Sequence, residues 1–250
     1  MTVGLGGLLI LLRLDAERFG AAEYDEVVDG ERPSLRGRLA WYLLGLGLAA
    51  AAMLIHPDAT GELGLGLGDR NAALLAGFVY GAFGFAQAAV FAWLRYHRMR
   101  WPSLSSYPGA LVNAILTAVI DETTFRGILL GFLLLAGLDP WVAIVIQAIV
   151  YTLATRSGAT GRGPYLLVLS LAIGLVGGWL TVATGGIGAA IIGHGITRFS
   201  VFLATGHAGH ALPPGAEDEE IEKARMVPDG WRTIGGRDGR DPREADGRRS

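Results

Sequence analysis

The sequence has no cysteine. That excludes a disulfide framework, a thiolate metal site and a cysteine nucleophile. Charge is scarce as well: Asp, Glu, Lys and Arg make up 18% of 250 residues, against roughly 25% in soluble domains. No HExxH pair, GxSxG elbow or phosphate-cradling glycine loop occurs, which removes zincin, serine-hydrolase and P-loop chemistry from consideration. No soluble catalytic domain and no nucleic-acid module can be read from the chain, so nucleic acid is not expected as a partner.

What is present is apolar. Hydrophobic residues account for 51% of the chain, glycine for 38 positions, and the mean hydropathy is +0.41. Six stretches approach or exceed the about 17–25 residues that a membrane helix needs: 39–55, 72–94, 108–136, 140–154, 164–184 and 186–205. The N-terminal "VGLGGLLILL" is a partial seventh, read as a short or truncated membrane segment entering from the outside, because its first basic residue, Arg13, follows the apolar run instead of preceding it. The expected fold is an all-α polytopic transmembrane bundle of about six to seven spans with the lipid bilayer as its surroundings.

The basic residues alternate with these spans. Of the 21 Lys and Arg, 18 fall in segments 13–38, 95–107, 156–163 and the tail from 206, while the intervening connections hold only Arg70. The positive-inside rule then places a multi-pass chain in the cell membrane with its C-terminal tail in the cytoplasm. The layout expected is a membrane segment and charged cytoplasmic stretch (1–38), two spans with a cytoplasmic loop (39–107), a core of four spans (108–205) and a charged, glycine- and proline-rich disordered tail (206–250). Trp41, Trp93, Trp101 and Trp141 fall near span ends, where interfacial aromatics sit; Trp179 is either another or core. The pairs Gly77/Gly81, Gly127/Gly131 and Gly174/Gly178 have the spacing that lets membrane helices approach closely.

Inside the third full span the sequence reads "AVIDETTFRGILLG". A single charge at the centre of a membrane helix costs at least ~2.5–3.5 kcal/mol, and here there are three. On an α-helix Glu122 and Arg126 are i, i+4 and share a face, whereas Asp121 is turned about 100° from Glu122 and needs a different partner. His194, in "IIGHGITRF", and Arg198, one turn later, are two more costly groups; Gln147, Tyr151, Thr155 and Arg156 form a fourth polar patch. Taken singly, each has a structural reading: an internal salt bridge for Glu122–Arg126, a satisfied core histidine, an arginine snorkelling to the surface, and a threonine bonded to its own helix. Together, acids on one helix and a histidine on another suit general-base hydrolysis. One histidine with two acids is a thin metal site, so no metal or other cofactor is expected. An acid–histidine relay also serves proton-coupled transport, but the polar pattern does not repeat between the two halves as it does in many transporters.

"DETTFRG" resembles the first motif of the CPBP family, the CAAX-processing and bacteriocin-processing intramembrane proteases: a Glu-Glu pair, three residues, then Arg and usually Gly. "YTLAT" at 151–155 stands where that family has an aromatic, three residues and His. "HGITR" at 194–198 stands where it has His, three residues and Asn. The resemblance spans roughly residues 108–205. It implies a helical membrane bundle and glutamate-type endopeptidase chemistry, with Asp121 and Thr155 at the water-activating positions, Glu122 and Arg126 beside them, and His194 with Arg198 at the oxyanion hole. A peptide or membrane protein would be the substrate or partner. Asp121 stands for the usual Glu, Thr155 for His and Arg198 for Asn, so the resemblance also admits a catalytically inactive relative that acts as a membrane scaffold, its charges kept as an interhelical network such as Glu122–Arg126 and Asp121–Arg198.

Overall fold

The computed structural model describes residues 1–21, 35–96, 107–157 and 164–205. These lie within one compact unit, Met1–Ala211. The expected disordered tail, Trp101 and most of the charged stretch before residue 35 lie outside the described residues.

Among the described residues the regular structure is helical throughout. The elements are α1 (Thr2–Leu14), α2 (Leu35–Ile55), α3 (Arg70–Tyr96), α4 (Tyr107–Asp121), a π-helical segment (Glu122–Leu129), α5 (Leu130–Leu135), α6 (Pro140–Ser157), α7 (Pro164–Thr184) and α8 (Gly188–Thr205). Because α4, the π segment and α5 follow one another without a break, the described residues form seven rods, each on one of the seven apolar stretches. Leu35–Ile55, Arg70–Leu94 and Leu167–Thr184 are long and apolar enough to cross a membrane. The outward faces carry Leu43, Leu54, Phe83, Trp93 and Leu94, all well exposed. So much exposed hydrocarbon suits an oily surround and not water.

Local sequence explains where the rods start and stop. The Asp69 carboxylate accepts from the Ala72 amide at 2.8 Å and caps α3; Asp139 accepts from Trp141 at 2.9 Å and caps α6, whose first residue is Pro140. Gly137, at φ 83°, ends α5, and Gly185, at φ 72°, turns the chain from α7 into α8.

The α2–α3 loop and the α7–α8 turn meet at one end of the bundle: the Asp69 amide donates to the Thr184 carbonyl at 2.9 Å, and the Ile187 amide to those of Gly64 and Gly66. From there the loop dips inward and buries Leu63 and Leu65. This corrects one expectation. Gly127 and Gly131 do not receive another helix. A Cβ on Gly131 would lie 2.7 Å from the Leu63 Cα, and one on Gly127 would overlap the Leu65 side chain, so the notch is cut for the loop. The other two pairs do serve helix contact: Gly77 and Gly81 face Ile192 and Ile196 of α8, and Gly174 and Gly178 face Ala148 and Gln147 of α6.

Trp41 is a second correction. It is fully buried, and its Nε1–H donates to the Leu12 carbonyl at 2.9 Å, tying α2 to α1. Trp93, Trp141 and Trp179 are exposed on the flank. One buried cluster gathers Leu9 of α1, Trp41 of α2, Leu63 of the loop, and Ile120 and Ile128 of the central rod.

Candidate functional site

The π segment begins at Glu122 and continues past Arg126. At its C-terminal side the Leu130 amide reaches back five residues to the Phe125 carbonyl, and the Thr124 hydroxyl donates to the Ile120 carbonyl at 2.6 Å. Side-chain back-bonding of this kind loosens a regular helix, and π segments are frequent at functional sites. The irregular turn sends neighbouring acids to different helices: Asp121 meets α1 and Glu122 meets α8.

Glu122 is the hub. Its Oε1 lies 2.6 Å from His194 Nδ1 and its Oε2 lies 3.2 Å from Arg126 Nε, with all three side chains buried. The expected Glu122–Arg126 pair is therefore present. The other ring nitrogen, His194 Nε2, is 3.4 Å from the Tyr151 hydroxyl. Arg126 lies over the Tyr151 ring, 4.1 Å from its centroid, in cation–π contact. Close approach at this point depends on Gly177 of α7, where a Cβ would stand 3.1 Å from Arg126 Nε.

Asp121 is bound elsewhere. Its Oδ1 lies 3.1 Å from Arg13 Nε, and Arg13 is 1% exposed. The suggested Asp121–Arg198 pair is not formed, and Arg13 does not belong with the solvated cytoplasmic stretch. Sequence gave little warning: an arginine at the end of an apolar run reads as an interfacial charge, and only packing against the π segment shows it to be internal.

Arg198 lies in the same interior at 8% exposed, so it does not snorkel. Its Nη2 donates to Asn113 Oδ1 at 3.4 Å, and Asn113 Nδ2 in turn donates to the Tyr42 hydroxyl at 2.7 Å. Asn113 and Tyr42 escaped the sequence reading, although an amide within a span meets the same test of costly polarity that singled out His194. The Thr155 hydroxyl is buried and, among the described residues, has no hydrogen-bond partner, unlike Thr152, Thr181 and Thr197, which bond to their own helices. Gln147 donates to the Gly174 carbonyl at 2.7 Å and clamps α6 to α7, while Arg156 is exposed and takes no part.

The two carboxylate–arginine contacts are short but too oblique for hydrogen bonds, so the guanidinium groups of Arg13 and Arg126 make none among the described residues. A buried polar group left unbonded costs about 1–3 kcal/mol.

Beside it runs an apolar groove of about 750 Å³ between α3 and α7, walled by Val79, Phe83, Val176 and Leu180. Tyr80 and Gln87 also line it, and their buried side-chain polar atoms lack partners among the described residues. The Tyr80 ring packs on Gly193, the neighbour of His194 in α8, so the groove borders the charged centre.

The family model described as type II CAAX prenyl endopeptidase Rce1-like matches residues 102–200. That segment holds the π segment, Tyr151, Thr155, His194 and Arg198, and the match agrees with the resemblance carried by the three motifs. No curated protein and no solved structure matches the chain.

Proposed function

Proceeding from an Rce1-like segment at residues 102–200, we propose that this protein is a multi-pass intramembrane endopeptidase of the CAAX-processing type, with its tail in the cytoplasm. The observation that carries the reading is the 2.6 Å contact between Glu122 Oε1 and His194 Nδ1. With its Nδ1–H on the carboxylate, His194 presents Nε2 as a proton acceptor, in the way that a buried acid orients an imidazole base.

In the proposed step a water oxygen attacks the scissile carbonyl carbon while His194 Nε2 takes the water proton. The carbonyl π electrons move onto oxygen, where the Tyr151 hydroxyl and the Arg126 guanidinium are the nearby donors. Collapse breaks the C–N bond, and His194 returns the proton to the leaving nitrogen. Within this mechanism Asp121, locked to Arg13, orients the π segment and is not the base. The free Thr155 hydroxyl supplies a further hydrogen bond to water. The α3–α7 groove suits the hydrocarbon part of a prenylated or membrane-inserted substrate.

A second reading, a non-catalytic membrane scaffold, is favoured by one specific observation: the carboxylate at the position that the resemblance assigns to the base is neutralised by Arg13. The two readings separate in reconstituted vesicles offered prenylated and unprenylated peptides. Peptidase function predicts turnover that Glu122→Gln and His194→Ala abolish. A silent native chain, beside an active Asp121→Glu/Thr155→His/Arg198→Asn variant, would make the scaffold reading correct.

A further inference from the structure

The α3–α7 groove is walled by hydrocarbon, yet two residues that line it carry unmet hydrogen-bonding groups. The Tyr80 hydroxyl belongs to a residue 9% exposed and has no partner among the described residues. The Gln87 carboxamide is buried at both its nitrogen and its oxygen, and neither atom has a partner there. The two threonines of the wall are satisfied: Thr197 donates to the Gly193 carbonyl at 2.7 Å and Thr184 to that of Leu180 at 2.8 Å. With no water in the bilayer core to answer them, unmet polar groups are expensive at this depth. Tyr80 and Gln87 both precede the segment that the family model matches.

Tyr80, Gly84 and Gln87 follow at i, i+4 and i+7 on one face of α3. Gly84 puts no side chain between the other two, and a Cβ there would overlap Thr197. The Tyr80 ring, on Gly193, marks the end of this strip nearest to His194. Gln87 stands further along, seven residues before the end of the apolar span at Leu94. At 1.5 Å per residue it lies about 10 Å inside that end. As a whole the residue is only partly buried, and its flexible side chain lets the amide swing out to an occupant.

A carboxamide offers donors and an acceptor side by side. An isoprenoid chain answers neither. The esters of a glycerolipid answer with acceptors only, and they lie at the level of the headgroups. A helix passing the groove has spent its N–H and C=O groups on itself. In an extended peptide, the N–H and C=O of one residue point to the same side and are free to exchange both bonds with a facing amide, as paired strands do. We propose that Gln87 is a specificity-determining residue: it receives the N–H and C=O of one residue of an extended, apolar substrate peptide lying in the α3–α7 groove, with the Tyr80 hydroxyl as a further donor nearer the centre. The groove therefore takes peptide backbone in preference to an isoprenoid tail. That the captured peptide is then cut rests on the peptidase reading above, whereas the capture itself does not.

The test titrates the full reconstituted chain with a short, fluorescent, leucine-rich peptide and with a series in which one backbone N–H at a time is methylated. Where the native chain cleaves the probe, binding is read in the Glu122→Gln background. Methylation at one position should weaken binding about fivefold or more, as expected for a buried acceptor left unpaired, and elsewhere by less than about twofold. Gln87→Met should shrink that penalty to within about twofold without lowering the thermal midpoint, because the amide it removes has no partner in the protein. Gln87→Asn, a milder change if Gln87→Met fails to fold, should shrink it severalfold. A flat methyl scan, or a penalty that survives Gln87→Met in folded protein, would overturn the proposal. So would tighter binding of a farnesyl probe without amides than of the unmethylated peptide, which would give the groove to a hydrocarbon chain. Displacement of the peptide by ceramide but not by unlabelled peptide would give it to a lipid amide instead. A localised methyl penalty without turnover on cleavable peptides refutes only the peptidase reading; turnover with a flat scan refutes only the role of Gln87.

Discussion

Arg13 Nε and Asp121 Oδ1 stand 3.1 Å apart, with the two side chains 1% and 0% exposed. This contact makes α1 part of the charged centre, together with the Trp41 bond to Leu12 and the packing of Ile128 against Gly6. Removing one partner leaves an uncompensated internal charge. Arg13→Ala should therefore lower stability by about 3–5 kcal/mol, and the double change Arg13→Met/Asp121→Leu should recover most of the loss. Denaturant unfolding in detergent reads both, and additive losses in the double variant would show that the pair is not coupled.

The glycines make opposite predictions at different places. A Cβ on Gly193 would run into the Tyr80 ring, whereas one on Gly47 meets nothing within 4 Å. Gly193→Ala should cost about 1–3 kcal/mol by overpacking. Gly47→Ala should be neutral or stabilising by up to about 1 kcal/mol, since alanine is the better helix former. Thermal midpoints of the two variants, side by side, check the α3–α8 contact directly.

Leu63 comes from a loop yet is fully buried against the central rod. Leu63→Ala should destabilise by about 2–5 kcal/mol, the range for large-to-small changes in cores. An exposed-loop cost of less than about 0.5 kcal/mol would mean that the segment does not dip into the bundle.

Trp41 offers a smaller, spectroscopic test. Trp41→Phe removes the 2.9 Å bond to the Leu12 carbonyl and should cost about 0.5–1.5 kcal/mol from that bond. Since Trp41 is wholly buried, the variant should lose part of the native fluorescence that added quenchers cannot reach.

The rods were legible in the sequence because hydropathy over some twenty residues is a strong signal. Glu122 with Arg126 was legible because i, i+4 spacing is local. The partner of Asp121 was not: Arg13 and Arg198 were both available cations, and choosing between them takes the antiparallel seating of α1 on the π segment. The role of Gly127 and Gly131 was missed for a similar reason. Their spacing announces a notch but does not say whether a helix or a leucine-bearing loop fills it.

The internal arginine of α1 has a consequence for how the protein is made. The ribosome delivers Arg13 first and Asp121 roughly a hundred residues later, about 5–20 s at ordinary elongation speeds. Throughout that interval the cation lacks the internal carboxylate with which it is paired in the bundle. The Arg13–Asp121 contact can therefore form only after the central rod emerges. The seating of α1 on the π segment thus comes later than the synthesis of α1 itself by the time that roughly a hundred residues take.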